Sequence, residues 1–212
     1  MSSFDIYLVI MCVAFIFSLI VSFVIYRENY IADFKRKVTV DIPVEKMKAI
    51  EKIVSDTKEK YSLDDDSTLK EFANALHIKE GKIIKITDAN AIISSKQSDG
   101  YNYVDFSKNL SEIDKRYAFA HECGHVLNGD PIPNTKQFGY GKPESEQRAD
   151  YVAAAIIMPI GKVERILKDV RFEELNSKEK KNIIAKVAQM FQVTESNAIK
   201  RINEVRLLSR IE

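Results

Sequence analysis

A chain of 212 residues has room for one ordinary domain and an accessory segment, and its formal net charge of +1 supplies no global field for nucleic acid or for acidic substrates. With 45% hydrophobic residues, the part from Arg27 onward can bury a core without disulfides. The two cysteines, Cys12 in an apolar run and Cys123 far away, are not placed to bridge, a pattern that fits a reducing compartment.

The first 26 residues carry a single charge, Asp5. Ile6 to Tyr26 is an uncharged stretch of 21 residues, which as a helix would extend roughly 30 Å, the hydrocarbon thickness of a bilayer. A cleaved signal peptide would need a basic leader, a shorter apolar stretch and a small-residue cleavage site, and none is present. The sequence therefore predicts a transmembrane anchor over 1–27 and a juxtamembrane linker over 28–42. Arg27, Lys35, Arg36 and Lys37 follow the span and no Lys or Arg precedes it, so the positive-inside rule puts the C-terminal body in the cytoplasm. Tyr7 and Tyr26 would mark the two interfaces.

After Pro43, apolar residues at Val44, Met47, Ile50, Ile53 and Val54 keep helical spacing to about Lys60. The acidic run Asp64-Asp65-Asp66 precedes a second helix, Ser67 to Leu76, and reads as capping rather than as a metal site. Gly81 is expected to end that unit. Lys82–Thr87, Ala91–Lys96 and Tyr101–Phe106 are short Ile-, Val- and Tyr-rich runs separated by turns, expected to form a small antiparallel sheet. Ser111 and Asp114 resemble a capping box opening a helix over Glu112–Asn128, and Gly129 stops it. Asp130 to Lys142 is a loop. Helices follow at Glu144–Met158, Gly161–Asp169, Lys178–Phe191 and Glu195–Ser209, the first ending before Pro159.

Two of the three histidines lie in His121-Glu122-Cys123-Gly124-His125. Four residues apart on a helix, their imidazoles share one face and can meet at a single Zn²⁺ ion. Glu122, one position round, sits beside the metal and can take a proton from water. Catalytic zinc needs three protein ligands, so a third must come from elsewhere. The next helix offers Glu146, with Asp150 one turn on, on the same face, to accept from the Nδ1–H of a ligating histidine. The alternative for both carboxylates is a solvated helix face; the upstream motif and Ala149, Ala153 and Ala154, which allow close helix packing, favour the ligand reading. Cys123 points away from the motif's face and reads as core. His77, beside Leu76 and Ile78, suits a helix terminus or core. An oxyanion donor is also required; Tyr101, Tyr103 and Tyr140 are candidates among which the sequence does not choose, and packing is their alternative role.

The run from Arg116 through His121-Glu-Cys-Gly-His125, followed by Glu146-Gln-Arg-Ala-Asp-Tyr-Val-Ala-Ala-Ala-Ile-Ile-Met-Pro159, resembles the ImmA/IrrE metallopeptidase family over Tyr101–Pro159, and more loosely to the C-terminus. The resemblance implies an α+β fold: a mainly helical, zincin-like domain over 43–175 with a small antiparallel sheet, here preceded by one transmembrane helix. It implies His121, His125 and Glu146 as zinc ligands, Glu122 as base and Asp150 behind a histidine. It also implies a protein substrate, a transcriptional repressor or another regulator. The membrane anchor departs from the family's mostly soluble pattern.

Residues 176–212 resemble a helix-turn-helix, with Thr194 capping its second helix. Lys181, Lys186, Lys200, Arg201, Arg206 and Arg210 are offset by glutamates, so no phosphate-binding stripe forms and direct nucleic-acid binding is not expected. The competing function is a catalytically silent zinc module that acts through these helices. Glu122 separates the two, because a binding module has no use for a carboxylate there. The hairpin ending at Phe106 offers an edge on which an extended substrate can pair its backbone.

Overall fold

The computed structural model describes residues 42–85, 90–94, 98–130 and 144–209. Helix α1 (Val44–Lys60) buries Met47, Ile50 and Val54, the stripe its periodicity requires. A capping box at Thr68 and Glu71 opens α2 (Leu69–Ala75). The acidic run before it is not the cap. Asp65 pairs with Lys58 at 2.8 Å and Asp66 with Lys162 at 2.7 Å, tying this turn to neighbouring helices.

Three strands follow, β1 (Ile78–Ile84), β2 (Ala91–Ser94) and β3 (Asn102–Ser107), in the order β1-β3-β2. The β2–β3 hairpin is antiparallel, but β1 runs parallel to β3, so the sheet is mixed rather than antiparallel. The first strand also starts earlier than its sequence suggests, because Gly81 lies inside it and does not end the preceding unit. The register shifts between Glu80 and Ile83, and a Cβ at Gly81 would collide with the Asp105 carboxylate, which accepts from the Lys82 N–H at 2.7 Å. A glycine at a bulge beside a close side chain is compatible with a strand.

The remaining elements are helices α3 (Glu112–Leu127), α4 (Glu144–Ile157), α5 (Ile160–Leu167), α6 (Ser177–Phe191) and α7 (Glu195–Leu208). One core joins Met47, Ile50 and Val54 of α1 to Phe72, to Val104 and Phe106 of β3, to Phe119 and Cys123 of α3, and to Tyr151 and Val152 of α4. Residues 40–212 are one compact unit, and the C-terminal helices are built into it. Helix α7 buries Ile199, Arg201, Ile202, Glu204, Val205 and Leu208. Arg201, fully buried, reaches Glu51 of α1 at 2.8 Å, and Tyr151 donates to the same carboxylate at 2.8 Å.

The expected single-pass membrane placement is corrected. Among the described residues no helix is long and apolar enough to cross a membrane. The stretch 6–26 on which that expectation rested lies outside the described residues.

Candidate metal centre

Helices α3 and α4 form the site because nothing bulky separates them. At Gly124 a Cβ would stand 2.8 Å from the Ala149 carbonyl oxygen and 2.9 Å from its Cα. The glycine thus allows two backbones to touch one residue away from His125. Helix α3 starts at Ser111, whose hydroxyl accepts from the Asp114 N–H at 3.1 Å. The two histidines then follow in register on the face turned to α4.

His121, His125 and Glu146 converge. The two Nε2 atoms are 3.1 Å apart, and Glu146 places Oε2 3.4 Å from that of His121 and Oε1 3.4 Å from that of His125. Ligands at 2.0–2.1 Å around tetrahedral zinc would be separated by about 3.3 Å, close to each of these spacings, and one ligand atom from each of the three residues lies within 4.8 Å of the other two. Each imidazole is held from behind. Asp150 accepts from His121 Nδ1 at 2.8 Å, and Asp130 from His125 Nδ1 at 3.1 Å. With both Nδ1 protons committed, a neutral ring at each position would turn its Nε2 lone pair toward the other. That arrangement is repulsive unless a cation lies between. Burial disfavours a charge on His121, but hydrogen bonds to Asp150 and Glu146 outweigh it and raise the imidazole to about 9. The pocket favours positive charge, and His121, His125 and Glu146 form a group that could hold a metal ion.

Glu122 is 2% exposed, and its charge acts on the neighbouring His121. Cys123 is wholly buried in the core, where burial raises its thiol far above the usual range, so it is inert packing as its position predicted. Tyr101 and Tyr103 belong to a different cluster. Tyr101 meets the His77 ring edge-on at 5.4 Å with Lys79 Nζ 3.6 Å from its centre, and Tyr103 donates to Asp99 at 2.8 Å. His77, exposed and at φ 57°, is thus neither core nor site. Tyr140 lies outside the described residues.

The sequence reading had no role for Asp130, Arg148 or Tyr117. Arg148 Nη2 donates to Asp130 at 2.8 Å, and the Tyr117 hydroxyl donates to the Asp150 carbonyl at 3.2 Å. A signal for Asp130 did exist in the glycine before it. Gly129, at φ 69°, donates to Val126 O, and the Asp130 N–H donates to His125 O at 2.9 Å. This is the Schellman closure that folds a chain back on its own last turn. It brings residue 130 to residue 125. Tyr117 lies one turn before His121, and it steadies the α4 backbone at Asp150.

The family model described as the IrrE N-terminal-like domain, Peptidase M78, matches residues 84–203, more than half of the 212. The match spans every group in the site and indicates a metallopeptidase-like function. No curated protein matches the chain.

Proposed function

Because the chain belongs to the IrrE N-terminal-like (Peptidase M78) family, we propose that it is a zinc-dependent peptidase, with His121, His125 and Glu146 as ligands. The observation that carries this reading is the convergence of the two Nε2 atoms, 3.1 Å apart, on the Glu146 carboxylate, which sets a different oxygen 3.4 Å from each, with both histidines oriented by carboxylates. Zinc bound there would polarise a peptide carbonyl and acidify water. Glu122 accepts the proton that water loses and returns it to the leaving amine. Its burial keeps that carboxylate shielded from bulk solvent beside the site. His121 and His125 keep fixed tautomers throughout, because Asp150 and Asp130 hold their Nδ1 protons.

The substrate is a protein, and the family resemblance points to a transcriptional regulator. β3 is the central strand, so the hairpin's outer edge belongs to β2, which lies against α3, and an extended substrate would pair its backbone there. A silent binding module acting on DNA through α7 is disfavoured, because Arg201 is buried against Glu51 and unavailable to phosphate.

The test compares protein fragments in cells holding the wild type with those holding Glu122→Gln, alongside the zinc content of both purified proteins. Expected are fragments specific to the wild type and equal zinc. General-base removal should cost about 10²–10⁴-fold in turnover. Identical fragment patterns would defeat the peptidase reading.

A further inference from the structure

We propose that Arg148 is a positioning residue for the metal site, acting through Asp130 on His125. The inference rests on the zinc reading above. The two histidines are oriented by different routes. Behind His121 stands Asp150, one turn along α4 from Glu146, so a single helix presents both ligand and orienting carboxylate. Behind His125 stands Asp130, beyond the end of α3, where the chain has already left regular structure. A carboxylate there needs a second restraint.

Two restraints are present. The first is the backbone closure at Gly129, which ties the Asp130 N–H to His125 O at 2.9 Å. It fixes the residue but leaves its side chain free to rotate. The second is Arg148. Asp130 accepts from Arg148 Nη2 through Oδ1 at 2.8 Å and from His125 Nδ1 through Oδ2 at 3.1 Å. One oxygen is assigned to each donor, so the carboxylate cannot turn without losing one of them. Its side chain is only 8% exposed, so water offers little replacement.

Charge makes the same point. Glu122, Asp130, Glu146 and Asp150 put four carboxylates around the site, against which zinc would bring two positive charges. Arg148 supplies a third at Asp130, behind His125. Residues 146, 148 and 150 of one helix thus serve as ligand, anchor of one orienting carboxylate, and the other orienting carboxylate. Arg148 also lies 3.7 Å from Glu144, which Lys46 engages, so the anchor is itself held toward α1.

The experiment measures Zn²⁺ affinity of the full chain by competition with a chromophoric chelator, with the melting of each metal-free variant recorded in parallel. Asp130→Ala should weaken binding about ten- to a hundredfold, as loss of a ligand-orienting carboxylate commonly does. Arg148→Met should weaken it by a smaller factor, and Arg148→Lys, which keeps a charge and one donor, should recover part of that loss. The decisive variant is the double. If Arg148 acts through Asp130, then Arg148→Met costs nothing further once Asp130 is alanine. Additive losses, or wild-type affinity in both single variants, would overturn the proposal. Asp130→Asn keeps the shape without the charge and covers the case in which the alanine variant fails to fold. A wild type that binds no zinc would instead overturn the metal reading itself, a separate result.

Discussion

Among the described residues, two clusters of buried charge solve the same electrostatic problem in opposite ways. At one, Glu51 and Glu204 surround Arg201, which is 0% exposed and donates through Nε to the Met158 carbonyl at 2.9 Å. The cation there is covalently part of the chain. At the other, Glu146, Asp150 and Asp130 surround two histidines whose Nε2 atoms face each other at 3.1 Å. There the chain supplies Arg148 to Asp130, and on the zinc reading the remaining cation is acquired. Isolated buried charges are too costly to persist, so a cluster that supplies its own counter-charge reads as architecture and one that does not reads as a binding site.

The sharpest way to break that comparison is to add and remove metal. Zinc at a thousandfold excess over its dissociation constant should stabilise the wild type by about 4 kcal/mol. A chelator should reverse this and abolish hydrolysis. Glu146→Ala should melt at one temperature with or without zinc. Equal stabilisation of this variant and the wild type would remove Glu146 from the ligand set.

Arg201→Ala is the corresponding test of the other cluster. It strands Glu51 and Glu204 in the interior and should cost about 3–5 kcal/mol in denaturant unfolding. Zinc affinity of the protein that remains folded should be unchanged, since Arg201 belongs to α7 and contacts no ligand. A fall in affinity matching the fall in stability would mean that the clusters are one system.

Gly124→Ala acts on both fold and site. Alanine favours a helix by about 1 kcal/mol over glycine. The new methyl would nevertheless meet the backbone of Ala149, which cannot swing aside. Overpacking costs about 1–3 kcal/mol, so the net change should be destabilising. It should also weaken zinc binding, because pushing α4 away moves Glu146 from the histidines. Stability and affinity should fall together here, whereas Arg201→Ala should lower only the first.

The two clusters also differ in how far the sequence revealed them. His121, Glu122 and His125 are legible because four-residue spacing on one helix is a geometric rule, and Glu146 with Asp150 repeats that rule on the next. Asp130 and Arg148 were not legible as a pair. Their meeting depends on a left-handed turn at Gly129 and on how α4 approaches α3, neither of which has a periodicity. The Arg201 cluster was not legible for a related reason. A basic residue in a C-terminal helix looks like surface until tertiary packing places Glu51 and Tyr151 around it. The helices were read nearly to their ends, since caps such as Ser111 and Thr194 act locally. The start of β1 was not, because Gly81 looks like a terminator until Asp105 of the neighbouring strand explains it.

The smallest effect should appear as pH dependence in the self-neutralised cluster. Burial pushes the Glu204 carboxyl up to about 7 from its ordinary 4.5, while Arg201 and Lys200 pull it down and Glu51 pushes it further up. Between those pH values the folded protein holds a proton that the unfolded chain has released, so this group's contribution to stability declines as pH rises from 4.5 through 7. Below 4.5 the contribution is complete. Tyr117 and Tyr151 share the environment, but burial raises their hydroxyls well beyond this range, so they stay neutral in it. Glu204→Gln cannot ionise and should lose that component, melting with a flatter profile than the wild type between pH 4.5 and 7. His121 also loses stabilisation as pH rises, but toward 9, and it is common to both proteins, so the difference between them isolates Glu204. Superimposable profiles would mean that Arg201 holds Glu204 ionised throughout. The cluster would then be a fixed ion network in which the chain's own cation is fully engaged.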